Sequence, residues 1–182
     1  MSTPTVILFL ALLALLANAF VVWLAILVLA FGSLVAAGLP LLVGAFTVLG
    51  SFVAVRLITE VTDVSIFAIN IITILGLGLS IDYALFVVSR FREQMRAGDG
   101  VAEALATTMA TAGRTVAFSA VTVAVSMTGL LLFPQTFLRS MGYGGIAAVL
   151  VAAVTSLTVL PALLAVLGRR VDALRVRLPR GL

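Results

Sequence analysis

The chain of 182 residues is 63% hydrophobic and 10% charged, with a formal net charge of +4 and a mean hydropathy of +1.33. A soluble globular domain carries about 25% charged residues, so this composition points to an integral membrane protein and excludes an ordinary soluble domain. Cys and His are both absent, which removes disulfide scaffolding, thiolate chemistry, the commonest general base and the commonest metal ligand.

No catalytic, metal or cofactor site is therefore expected. All eleven basic residues are Arg, and they cluster at the ends of apolar runs. There they report membrane orientation, and no nucleic-acid partner is expected from them.

In chain order, the first apolar run covers residues 5–31, broken only by Asn18. It is long enough for one tilted span, and "MSTPT" lacks the basic start of a signal peptide. The second run, 39–58, opens near Pro40, a residue tolerated in a first helical turn. After the polar break "RLITEVTD", a third run covers 64–89 and gives way to the basic loop "SRFREQMRAGDG". The stretch "VAEALATTMATA", 101–112, has the pattern of a short amphipathic helix lying along the membrane surface. A fourth span, 114–133, stops at Pro134, and a fifth, 142–167, carries Pro161 near its end. The basic tail follows. Five spans and no soluble domain are predicted.

Charge orients them. Arg90, Arg92, Arg96, Arg114, Arg169, Arg170, Arg175, Arg177 and Arg180 fall on one side; Arg56 and Arg139, offset by Glu60 and Asp63, fall on the other. The positive-inside rule then places the N-terminus outside and the C-terminus in the cytoplasm.

One residue conflicts with the hydrocarbon setting. Asp82 lies within the third run, and a central Asp costs about 2.5–3.5 kcal/mol on insertion scales. It is expected to face the bundle interior and either carry a proton or meet a partner. Tyr83 follows it, about 100° around the helix. Gly78 lies one turn before Asp82, Gly76 adds a second gap, and Leu75, Leu79 and Phe86 continue the same face. On the fourth span Ser119, Thr122 and Ser126 recur at helical spacing, a candidate polar path that is more often interhelical glue. Asn18 and Asn70 fit satisfied polar residues. Intramembrane protease readings of "GLGLSID" fail, since a serine enzyme here lacks His and an aspartyl enzyme needs two facing carboxylates.

The segments "FGSLVAAGLPLLVG", "LITEVTDVSIFAINIITILGLGLSIDYALFVVSRFREQ", "TAGRTVAFSAVTVAVSMTGLLLFP", "FLRSMGYGG" and "LTVLPALLAVLGRR" together resemble the MMPL family. These are bacterial, chiefly actinobacterial, lipid exporters of the resistance-nodulation-division (RND) superfamily. The resemblance covers about residues 21–170. It implies an all-α integral membrane fold, a five-transmembrane-helix bundle like half of an RND/MMPL (sterol-sensing-like) membrane domain, matching helices two to six of the first half. Residues 1–20 are then an N-terminal extension and the start of the first span, 21–170 the MMPL-like transmembrane domain, and 171–182 a basic cytoplasmic tail.

The resemblance further implies a bacterial inner-membrane protein that exports lipids or other hydrophobic compounds on the proton gradient. Asp82 and Tyr83 match the family's proton-relay pair. Membrane lipids and protons are the implied partners, with a second transporter half or another copy of the chain, since the module is expected to be incomplete alone. The alternative is a non-transporting lipid-binding or regulatory membrane module, or a truncated gene product.

Overall fold

Inside hydrocarbon no water can bond a free backbone N–H or C=O, so a crossing segment must close its hydrogen bonds within itself. The computed structural model follows this rule through residues 33–173, which it describes continuously, with Val6, Ala14, Leu15 and Asn18 described singly before them. Among the described residues, four helical paths are long and apolar enough to cross a membrane: Val35–Ile58, Phe67–Ala97, Val101–Leu132 and Thr136–Asp172. The first expected span, 5–31, lies almost wholly outside the described residues, as does the tail at 174–182.

Each path begins earlier or ends later than its apolar run. Helix α1 (Leu34–Ile58) starts behind Ser33, whose hydroxyl accepts the Ala36 N–H and so serves as an N-cap. Pro40 consequently sits inside the helix and not in its first turn. The second path is α2 (Phe67–Ile71), a π-helical turn (Ile72–Gly76) and α3 (Leu77–Ala97). It runs to Ala97 where Ser89 was expected to end it, so most of the supposed basic loop is helix. Gly98, at φ 108°, stops it.

The third path is longer than its apolar run. The segment expected along the surface is α4 (Val101–Thr108), and it continues through a π turn (Met109–Gly113) into α5 (Arg114–Thr128) and a closing 3-10 turn, Gly129–Leu132. Ala104 and Thr108 are fully buried, and α4 packs on α3. Part of its length therefore meets protein, on the side of Ala104 and Thr108. The fourth path, α6 (Thr136–Leu157) and α7 (Val159–Leu167), breaks at Thr158. Pro161 explains the break, because its ring cannot donate to the carbonyl four residues back, that of Leu157, and crowds it.

Successive paths run antiparallel through short turns, and α6 occupies the centre, packed against α1, α2, α3 and α5. A Cβ on Gly144 would stand 3.1 Å from the Ala68 carbonyl oxygen, and one on Gly76 would stand 3.3 Å from the Ala148 Cβ. Such contacts require glycine-like surfaces. Phe91, Leu160, Leu164 and Val87 fill the core toward the Arg-rich end.

That end is also tied by polar groups. Ser33 Oγ lies 2.8 Å from both the Val171 and the Ala173 carbonyl oxygens, and its one proton serves either. Arg92 Nε donates to Asp172 Oδ1 at 2.7 Å, with Nη2 at 2.6 Å from the same oxygen. The other end closes on an edge-to-face contact of Phe67 with Phe137, centroids 5.0 Å apart, and on Ser65 N–H donating to Ser140 Oγ at 2.8 Å.

Gly168 turns the chain at φ 48°, ψ −124°, and a Cβ there would meet Val101 Cγ2 at 3.3 Å. Gly168→Ala is expected to lower stability by about 1–3 kcal/mol. Gly38→Ala, on α1 with nothing within 4 Å of the new Cβ, is expected to be neutral or stabilising by up to about 1 kcal/mol. Thermal unfolding in detergent compares the two.

Candidate functional site

Asp82 lies half-way along the Phe67–Ala97 path, about 22 Å from either end at 1.5 Å per residue. No other acidic residue lies within the apolar body of a described span. Its side chain is exposed on the outer surface of the bundle. Asn70, Ile74, Gly78, Asp82 and Phe86 recur every fourth residue and are all exposed, forming one stripe down the helix. Ile74 and Phe86 are 75% and 49% exposed, and a Cβ built on Gly78 meets nothing within 4 Å. The stripe thus has an apolar rim, a flat notch and a carboxylate half-way along the helix.

Tyr83 points the other way. It is buried, and its hydroxyl lies 3.4 Å from Ser119 Oγ on α5, a long contact in which either oxygen can donate. The offset between neighbouring helical residues thus places Asp82 outward and Tyr83 inward. Gly76 is buried against α6, while Leu75 and Leu79 are half-buried and pack on the core. The residues expected on one interior face therefore divide, with Gly78, Asp82 and Phe86 on the outer stripe.

The hydroxyl stripe also divides. Ser119 is half-buried and reaches Tyr83, whereas Thr122 and Ser126 are exposed. Thr122 Oγ1 donates to the Phe118 carbonyl and Ser126 Oγ to the Thr122 carbonyl, each at 2.9 Å. Both hydroxyls are used within their own helix.

Two features escaped the sequence reading. One is the pair of π turns, at Ile72–Gly76 and Met109–Gly113. Because α3 and α5 are antiparallel, these turns flank the Tyr83–Ser119 contact from opposite sides of the membrane. Such turns often mark functional sites. The other is the buried polar set of Thr47, Ser51 and Ser80 where α1 meets α3. Ser51 and Ser80 donate to carbonyls of their own helices, while Thr47 Oγ1 has no partner. Gly44 is the nearest sequence signal for this close approach, since a Cβ there would stand 2.8 Å from Leu77 Cδ1. No group of three or more His, Cys, Asp or Glu residues suited to a metal occurs among the described residues.

An all-α bundle of long apolar helices, with one carboxylate within an apolar stretch, is the architecture of a multi-pass membrane protein. A model of the MMPL family matches residues 10–180. The chain is 51% identical over 154 residues to a putative membrane protein of Streptomyces coelicolor, covering 85% of this chain and 22% of that protein. It is 49% identical over 147 residues to the trehalose monomycolate exporter MmpL3 of Mycobacterium tuberculosis, covering 81% and 16%. It is 44% identical over 139 residues to the mycolic acid-containing lipids exporter MmpL11 of Mycolicibacterium smegmatis, covering 76% and 15%. The chain belongs to the MMPL family, and it spans less than a quarter of the length of these relatives.

The two glycines beside the carboxylate separate packing from exposure. Gly76→Val is expected to lower stability by about 1–3 kcal/mol by overpacking against α6. Gly78→Val, in open space, is expected to change it by less than about 1 kcal/mol. Thermal or denaturant unfolding of the purified chain distinguishes them.

Proposed function

We propose that this chain is a membrane module of a proton-driven exporter of lipids or other hydrophobic compounds, with Asp82 carrying the proton and Tyr83, turned inward to Ser119, as the second residue of the relay. One observation carries the reading: a carboxylate within an apolar span, set on an exposed, glycine-notched stripe. An ionisable residue at that depth is expensive unless it has a function or a partner. The exporter names of MmpL3 and MmpL11 supply the substrate class.

Protonation removes the charge and with it most of the penalty for facing an apolar surface. Deprotonation restores an acceptor that demands a donor or water. Alternation between these states would shift α3 against whatever covers its outer stripe. That cover is a second transporter half or another copy of this chain, packed closely through Gly78. The π turns before Asp82 and before Ser119 are the places where α3 and α5 can change register with the smallest loss of backbone hydrogen bonds. The sequence's division of nine arginines to one side and two to the other supports an orientation with the Arg-rich end in the cytoplasm of a bacterial inner membrane. Exchange of a proton needs only the carboxyl, and no enzymatic step is required of the chain.

Asp82→Asn in an assembled exporter containing this module is expected to abolish gradient-driven lipid export, measured in energised vesicles, while the protein remains folded. Asp82→Glu is expected to retain part of it. Undiminished export by the Asn variant would remove Asp82 from the relay.

A further inference from the structure

At the Arg-rich end, α3 and the last turns of the fourth path enclose a cleft of about 380 Å³, within the roughly 300–1,000 Å³ of ordinary ligand pockets. Its cationic lining is Arg92, Arg96 and Arg169; its apolar lining includes Phe91, Met95 and Val171. Both of its turns depend on glycines at positive φ, Gly98 at 108° and Gly168 at 48°.

The charges in this cleft do not balance. Among the described residues Asp172 is the only acidic side chain in the lining, and it is engaged by Arg92, whose side chain is 8% exposed. Glu93 is held by Arg90 Nη1 at 2.7 Å, and Asp99 and Glu103 do not line the cleft. Arg96 and Arg169 are exposed and form no ion pair among the described residues. Three guanidiniums, one of them fixed in the wall by an ion pair, thus face one carboxylate. Guanidinium forks match phosphate oxygens in geometry as well as charge.

The position of the cleft selects the source of the phosphate. It lies where two apolar membrane helices end, with Phe91 and Val171 buried at its floor. An anion arriving there with an apolar body finds both surfaces it needs. We infer that this cleft is a binding site for the phosphate headgroup of an anionic phospholipid, drawn from the leaflet at the Arg-rich end. Basic pockets between helices at the cytoplasmic face suit such headgroups. The leaflet assignment rests on the orientation proposed above, but the binding itself does not.

Native mass spectrometry of the full chain in detergent tests this with dioleoyl phosphatidylglycerol, dioleoyl phosphatidylcholine and inorganic phosphate as probes. The wild type is expected to retain phosphatidylglycerol over phosphatidylcholine, and inorganic phosphate is expected not to displace it. Arg96→Gln with Arg169→Gln is expected to reduce that preference roughly thirtyfold, the factor for two contacts of about 1 kcal/mol each. Arg169→Gln alone, at an exposed position, is expected to reduce it about fivefold on the same scale. The control pair Arg90→Gln with Arg114→Gln removes equal charge outside the cleft and is expected to leave the preference unchanged. Equal retention of the two lipids overturns the proposal. So does an equal loss in the control pair, which means a diffuse basic surface, or displacement by phosphate, which means a site for soluble anions. Neither export nor topology enters the readout, so its failure leaves the transport reading standing.

Discussion

The whole bundle depends on α6 being thin. Lipid tails are as apolar as Leu, so no hydrophobic force drives one spanning helix onto another, and close van der Waals contact must hold them together. The buried side of α6 consists largely of Gly142, Gly144, Gly145, Ala147, Ala148, Ala152 and Ala153. Backbones of α2 and the first π turn can therefore approach nearly to contact, as Gly144 shows against Ala68 and Gly76 against Ala148. Larger side chains are kept for the outside, where Leu150 and Val154 stand exposed. Reversing this distribution would leave each helix as well solvated by lipid as by its neighbours, and the polar groups would lose the geometry that places them.

This dependence explains how much of the molecule was legible beforehand. Apolar runs and the polar breaks between them gave the described spans and their alternation, because hydropathy is additive along a segment. The ends were less legible, because a helix can outrun its apolar stretch when an external partner satisfies its polar residues. Arg92 is the clearest case. Taken as a loop residue beyond Ser89, it belongs to a helical period with Val88, Phe91 and Met95, and it meets Asp172 eighty positions away. The apolar spacing was visible in the sequence, but the carboxylate that completes it was not. For a related reason the cover of 101–112 was only partly legible: its apolar stripe shows that a partner exists, not that α3 supplies part of it.

The candidate site was legible in its residues but not in its facing. The energetic argument that a central carboxylate needs company gave Asp82 its importance. Yet company inside this bundle goes to Tyr83, through Ser119, while Asp82 lies on the outer stripe. One helical step separates the two residues and fixes the division, since no rotation of α3 can bury both on the same neighbour. On the proposed function, the interior into which Asp82 faces is that of a larger assembly, and the unfilled space over Gly78 is the room kept for it.

The two ends of the bundle would then respond differently to a shift of α3. At the Arg-rich end the helix is anchored by the Arg92–Asp172 pair, and Ser33 ties α1 to the same terminal segment. Arg92 is buried and Asp172 half-buried, so breaking the pair strands the Arg92 charge and this end resists sliding. Among the described residues the opposite end has no ion pair across its helices; beside the α2–α6 packing it is tied by the Phe67–Phe137 edge contact and the Ser65–Ser140 hydrogen bond, interactions worth about 0.5–1.5 kcal/mol each. Between the ends, the Ile72–Gly76 π turn lies on the weakly held side of Asp82. A change of charge at Asp82 would therefore be absorbed toward Phe67, by rewinding that turn, while the anchored end and its basic cleft keep their geometry.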